Sequence, residues 1–152
     1  MCGREAPAVA EGTAERTAKP AGPDLRHGPG RLLVTLYGVF TVGAASRSVY
    51  QLTTRFDEAP LAYVLSAVAA LVYAFITVSL VRGGEGARRV ALVACAAELV
   101  GVLTVGTWSL IDPSAFPDAT VWSDYGLGYV FFPLILPVTG LLWLRRAGPG
   151  PA

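Results

Sequence analysis

The chain has 152 residues, of which 53% are hydrophobic and only 15% are charged. Soluble globular domains carry about a quarter charged residues, whereas here the apolar residues gather in four long runs. The composition excludes a chain that is disordered throughout, a disulfide scaffold and a nucleic-acid binder. The net charge of +1 is uninformative as a sum, because the positive and negative residues lie in different parts of the sequence. We therefore expect one all-α domain, embedded in a lipid bilayer.

Both ends of the chain are predicted to be disordered tails. Residues 1–30 consist of Ala, Gly, mixed charges and several prolines, and such a segment buries too little apolar surface to offset the entropy lost on ordering. Residues 147–152 form a second tail of Gly, Pro and Ala. Because the first apolar run begins behind a long polar tail, a cleaved secretory signal is not expected. The membrane domain is predicted over residues 31–146.

Four apolar runs between the tails are predicted to be transmembrane helices. Each has close to the ~20 residues that an α-helix needs to cross a hydrocarbon core of ~30 Å. The predicted spans are residues 32–54, 60–81, 90–111 and 126–144. Pro133 and Pro137 lie in the last run, where neighbouring helices can satisfy the freed carbonyls, so a kink is expected there rather than a break.

The charges near the ends of these runs predict the orientation. Arginines cluster before the first run, in the link 82–89 and after the last run, at Arg26, Arg31, Arg82, Arg88, Arg89, Arg145 and Arg146. The link 55–59 has one arginine, and the link 112–125 has only acidic charges besides the aromatic residues Phe116, Trp122 and Tyr125, which suit a membrane interface. The positive-inside rule places both termini in the cytoplasm. The predicted fold is an antiparallel four-helix transmembrane bundle, N-in/C-in.

Glu98 is an acidic residue inside the third predicted span, ~12 Å below its cytoplasmic edge. A charge at this depth is costly and usually faces the protein interior. Ala94 and Gly101 lie on the same helix face, and small residues mark places where helices approach closely. The second span has a matching face of small residues at every fourth position, at Ala62, Ser66, Ala70 and Ala74. Glu98 is therefore expected to point between the helices.

Three hydroxyl groups lie near the depth of Glu98. Tyr73 of the second span falls at nearly the same level, and Tyr37 and Thr139 lie a few ångströms nearer the cytoplasmic edge. We predict a hydrogen-bonded polar cluster in which Glu98 is the acceptor and Tyr73 the main donor.

Arg47 is the second charge inside a predicted span, ~22 Å from the cytoplasmic edge and close to the outer one. With Gly43, Gln51 and Thr54 it forms a polar stripe on one helix face, and its long side chain can reach outward. The acidic residues predicted at that level are Asp57, Glu58 and Asp112. A direct pair with Glu98 would have to bridge ~10 Å of depth, so the outer partners are favoured.

The sequence lacks the motifs of common enzymes. It contains no GxGxxG, P-loop, HExxH or GxSxG pattern. Cys2 lies in the tail and Cys95 in an apolar run, so the two predict neither a disulfide nor a metal cluster. No enzymatic activity, metal, other cofactor or nucleic-acid partner is expected.

Three stretches of residues 31–146 resemble the small four-helix integral membrane proteins of actinobacteria. They are GAASRSVYQL in the first span, RFDEAPLAYVLSA leading into the second, and FPDATVWSDYGLGY before the fourth. The strong preference for arginine over lysine also suits a GC-rich bacterium. The resemblance implies a four-helix fold in the bacterial inner membrane, and it implies no catalytic residues.

Two functions from different classes remain open. The first is a non-enzymatic accessory or structural membrane component, acting as a homo-oligomer or with a partner membrane protein. The second is a small proton-coupled transporter or channel that uses Glu98, because intramembrane ionisable residues mark functional sites by default. A third interpretation is a sensor whose long link before the fourth span binds a partner.

Overall fold

A computed structural model describes residues 28–146, and every regular element within them is helical. The four α-helices are α1 (Pro29–Thr54), α2 (Pro60–Arg82), α3 (Gly84–Ile111) and α4 (Phe132–Arg146). Residues 112–131, here called the connecting segment, join α3 to α4 and contain two 3₁₀ helices, Pro113–Ala115 and Ser123–Tyr129. Most of the predicted N-terminal tail and the whole predicted C-terminal tail lie outside the described residues.

The helix starts follow from local chemistry. Pro29 and Pro60 open α1 and α2, positions where the missing N–H of proline costs nothing and its fixed φ favours the helix. The predicted tail boundary at residue 30 therefore falls just inside α1. Between α2 and α3 the chain turns at Gly83 and Gly84, whose φ values of 65° and 85° favour glycine.

α3 begins six residues earlier than the sequence predicted. Glu85, Arg88 and Arg89 suggested a polar link, but they lie on one helical turn. Glu85 pairs with Arg88 at 3.5 Å and with Arg89 at 3.3 Å. Such pairs at i,i+3 and i,i+4, with the acidic residue nearest the helix N-terminus, stabilise the first turns of a helix.

Three helices are long and apolar enough to cross a membrane: α1, α2 and α3. Their outward faces carry large apolar side chains that are more than half exposed, among them Val42, Leu71 and Val100. Water-soluble proteins avoid such continuous apolar surface, whereas hydrocarbon favours it. The protein is therefore a multi-pass integral membrane protein in contact with lipid.

The fourth span differs from the prediction of one kinked helix over 126–144. α4 has 15 residues, which give a length of only ~22 Å. The helix Ser123–Tyr129 precedes it at a bend of 99°, so a fourth span exists only if this bent pair is counted as one. The break falls at Val130 and Phe131, which have φ values of 54° and 59°.

The connecting segment folds back against α3. Val121, Trp122 and Ser123 are buried, and the Trp122 ring occupies a notch at Gly101, where an added Cβ would lie 2.8 Å from the indole. Tyr125 fills a second notch at Gly106 in the same way. Trp122 was predicted to suit the membrane interface, and its ring is buried inside the protein because Gly101 leaves room for it.

Candidate functional site

Glu98 lies in the middle of α3 and is completely buried. The same face of α3 also buries Ala91, Cys95, Val102 and Val105, at i−7, i−3, i+4 and i+7, so the helical repeat turns Glu98 toward the other helices. The sequence argument from small neighbours predicted this direction. The carboxyl group is therefore closed off from lipid, and its hydrogen bonds must come from within the protein.

Tyr37 of α1 supplies the hydrogen bond. Its hydroxyl donates to Glu98 Oε2 at 2.9 Å, and it also lies 3.7 Å from Cys95 Sγ. Tyr37 is itself completely buried. The contact joins α1 to α3 through two residues that are 61 positions apart in the chain. Tyr37 thus takes the role of donor that the sequence assigned to Tyr73.

Tyr73 of α2 packs against Tyr37, the donor to Glu98, with ring centroids 6.2 Å apart. The Tyr73 hydroxyl, Glu98 Oε1 and Trp122 Nε1 are buried and have no hydrogen-bond partner among the described residues. A buried polar atom without a partner costs ~1–3 kcal/mol. These three atoms therefore retain unused hydrogen-bonding capacity.

α4 reaches the cluster through Gly140 instead of the predicted Thr139. Thr139 is exposed, and its hydroxyl donates to the carbonyls of Ile135 and Leu136 in its own helix. A Cβ added at Gly140 would lie 3.1 Å from Cys95 Sγ and 3.7 Å from the Tyr37 hydroxyl. The absence of a side chain at position 140 lets α4 close the site from its fourth side.

Arg47 of α1 binds the connecting segment. Its guanidinium donates to the Tyr129 hydroxyl at 2.6 Å and to the Ala119 carbonyl at 2.9 Å, and it lies 3.8 Å from Asp118 Oδ1. Gln51, one turn further along α1, donates to Asp118 Oδ2 at 3.2 Å. These contacts fasten the connecting segment to α1, and the predicted stripe of Arg47 and Gln51 is the surface that it covers.

The acidic partners predicted for Arg47 were wrong. Glu58 pairs with Arg55 at 3.4 Å, Asp112 accepts a hydrogen bond from Ser114, and Asp57 is exposed. Thr54, also assigned to the stripe, is exposed and donates to the Tyr50 carbonyl of its own helix. Asp118 is the acidic residue nearest Arg47 because the connecting segment folds back along α1. An estimate of depth along each helix cannot predict this fold of the segment.

A row of aromatic rings connects Arg47 with the Glu98 cluster. Tyr129, the partner of Arg47, packs against Phe40 with ring centroids 6.1 Å apart, Phe40 packs against Tyr73 at 6.1 Å, and Tyr73 packs against Tyr37 at 6.2 Å. Separations in this range are typical of favourable edge-to-face and tilted pairs. Arg47 and Glu98 therefore lie at the two ends of one row of packed aromatic rings.

The described part of the chain has no group of three or more His, Cys, Asp and Glu side chains that could hold a metal ion. Within residues 28–146, Cys95 is a free, buried thiol, and Cys2 lies outside the described residues.

Searches against protein-family models, curated proteins and solved structures find no match to this chain. The resemblance to small actinobacterial membrane proteins is therefore supported only in its coarser part, a small helical protein with three or four membrane-length apolar helices.

Proposed function

We propose that the protein is a non-enzymatic accessory or structural component of the bacterial inner membrane, and that Glu98 serves to hold its helices together. The observation that carries this proposal is the complete burial of Glu98 together with its hydrogen bond from Tyr37 of another helix. Interhelical hydrogen bonds of this kind stabilise membrane proteins by ~0.6 kcal/mol on average and by up to ~1.7 kcal/mol.

The orientation belongs to the same proposal. Both termini and the turn at Gly83 and Gly84 face the cytoplasm, and the connecting segment faces outward. Arg82, Arg145 and Arg146 at the ends of α2 and α4 support this arrangement through the positive-inside rule. A reporter fused after Arg146 should be active in the cytoplasm, and periplasmic activity would contradict the topology.

Association with a second copy or with a partner membrane protein completes the proposal. Ala62, Ser66 and Ala70 of the small-residue face are already buried within one chain. A partner would therefore pack on the exposed valine and leucine faces of the helices rather than on this one.

A second candidate is a proton-coupled transporter or channel that uses Glu98. Two observations favour it. Within residues 28–146, Glu98 Oε1 and the Tyr73 hydroxyl are buried without hydrogen-bond partners. Trp122, just before the bent pair of helices, packs against Gly101, one turn along α3 from Glu98. Non-helical backbone at membrane depth often marks the binding site of a transporter.

One experiment separates the two candidates. The full chain, Glu98→Gln, Tyr37→Phe and the exposed control Glu58→Gln are reconstituted in liposomes, and proton flux and the free energy of unfolding are measured for each. For the structural role we expect no flux from any variant. Stability should stay near that of the wild type in Glu98→Gln, because the glutamine oxygen still accepts from Tyr37, and it should fall in Tyr37→Phe, which removes the donor. Flux that is lost in Glu98→Gln, with the fold retained, would overturn the structural role in favour of transport.

A further inference from the structure

A groove of about 620 Å³ opens on the lipid-facing side of α2 and α3. Its lining includes Leu71, Phe75 and Val78 of α2 and Val90 of α3, whose side chains are exposed, together with the smaller residues Ala74, Ser79 and Ala87. Arg82, in the last turn of α2, lies at one end of the groove. The groove thus combines an apolar floor with a cation at the end of a membrane helix.

The length of the groove matches one leaflet of a bilayer. From Leu71 to Arg82 the helix rises ~16 Å, and half of a ~30 Å hydrocarbon core is ~15 Å. An acyl chain that lies along the apolar floor would therefore bring its phosphate to the level of Arg82.

The charge at the end of the groove is available to a ligand. Arg88 and Arg89 are both paired with Glu85, whereas Arg82 has no ion pair among residues 28–146. The first turn of α3 begins beside it at Gly84 and has no side-chain cap, so its backbone N–H groups add to the positive potential there.

We propose that this groove is a binding site for an anionic phospholipid, with one acyl chain along α2 and the headgroup phosphate at Arg82. A zwitterionic phospholipid carries its own cation next to the phosphate, which offsets the attraction of Arg82. A basic residue near a membrane surface favours anionic lipid by about fivefold, which corresponds to ~1 kcal/mol.

The test is native mass spectrometry of the full chain released from bilayers of equal parts phosphatidylglycerol and phosphatidylethanolamine. Wild type should retain phosphatidylglycerol in excess. Arg82→Gln should lower the retained ratio of phosphatidylglycerol to phosphatidylethanolamine about fivefold. Arg145→Gln is the matched control. Arg88 donates to the Leu144 carbonyl at 3.0 Å, so the end of α4, with Arg145, lies beside the start of α3 and at the same end of the helices as Arg82. A further variant, Ala74→Leu, fills the apolar floor and should reduce retention of both lipids.

Three outcomes would overturn the proposal. An equal loss of the lipid preference in Arg82→Gln and Arg145→Gln would indicate general surface charge rather than a site. Unchanged retention in Ala74→Leu would mean that no acyl chain lies in the groove. A dimer that retains no lipid would mean that a second copy of the chain covers it. Thermal melting of each variant in detergent shows that a loss of lipid is not a loss of fold.

Discussion

The notch at Gly101 gives the sharpest prediction about the connecting segment. A Cβ added at this position would lie 2.8 Å from Trp122 Cη2 and 2.9 Å from Cζ3. Both atoms belong to a rigid, buried ring that cannot move aside as a flexible side-chain end would. Overpacking of this kind costs ~1–3 kcal/mol. We expect Gly101→Ala to lower the free energy of unfolding by that amount.

The measurement is reversible unfolding of the full chain in mixed micelles. Gly38→Ala is the matched control, since nothing lies within 4 Å of a Cβ added there, and removal of a helical glycine should leave stability unchanged or raise it by up to ~1 kcal/mol. Trp122→Ala should itself be destabilising, because it leaves a cavity.

The double variant decides whether the clash is the cause. In Gly101→Ala/Trp122→Ala the ring that would be struck is gone, so the alanine at 101 should cost nothing further and the two effects should not add. Additive effects, or a cost in Gly101→Ala no larger than in Gly38→Ala, would refute the packing of Trp122 into α3.

Three further predictions concern the two charges and the broken element. Tyr37→Phe removes the donor to Glu98 and should lower the free energy of unfolding by ~0.6–1.7 kcal/mol. The control Tyr50→Phe, on the exposed face of α1, should leave it unchanged. Equal free energies of unfolding in the two variants would contradict the contact. Arg47→Gln should expose the connecting segment to limited proteolysis faster than the control Arg55→Gln, since Arg47 binds that segment whereas Arg55 pairs with Glu58 of the link before α2. Identical digestion of the two would argue against fastening by Arg47. Val130→Gly should raise the free energy of unfolding by ~1 kcal/mol, because a β-branched residue is strained at a φ of 54° and the exposed Val130 side chain makes few contacts. A destabilised variant would mean that the backbone at the bend before α4 does not have this left-handed conformation.

The bounds of α1 and α2 could be predicted closely from the sequence, because their apolar runs end where the helices end. The start of α3 was missed for a definite reason. Glu85, Arg88 and Arg89 count as polar in a composition window, but their spacing makes them partners on a helix. The spacing of Glu85, Arg88 and Arg89 therefore indicates a helix rather than a polar link, and it favours an α3 that begins at Gly84.

The partners within the site were harder to predict. Depth along the helix axis placed Tyr37, Tyr73 and Thr139 near Glu98, but each step along a helix turns the side chain by ~100°. That rotation puts Thr139 on the exposed face and Gly140 against Cys95. The choice between Tyr37 and Tyr73 as donor depends on how the side chains of the packed helices meet, which no residue pattern records.

The partner of Arg47 depends on long-range folding. Asp124 and Tyr125 adopt left-handed φ values of 51° and 58°, although neither is glycine. Local propensity disfavours that backbone, so only tertiary packing can hold it. The sequence of α3 nevertheless contains an indication of this packing. Gly101 and Gly106 lie five residues apart inside an apolar helix, and an aromatic ring of the connecting segment packs against each of them.

The short helix α4 follows a segment that Arg47 holds in place. α4 has 15 residues, fewer than the ~20 that span a bilayer, and the connecting segment before it has irregular backbone, which needs hydrogen bonds from the protein wherever lipid surrounds it. Arg47 meets that need from α1 by donating to the Ala119 carbonyl and the Tyr129 hydroxyl. Trp122 and the row of rings from Tyr129 to Tyr37 then close the space above Glu98. Arg47 thus fastens to α1 the irregular segment that precedes the short α4.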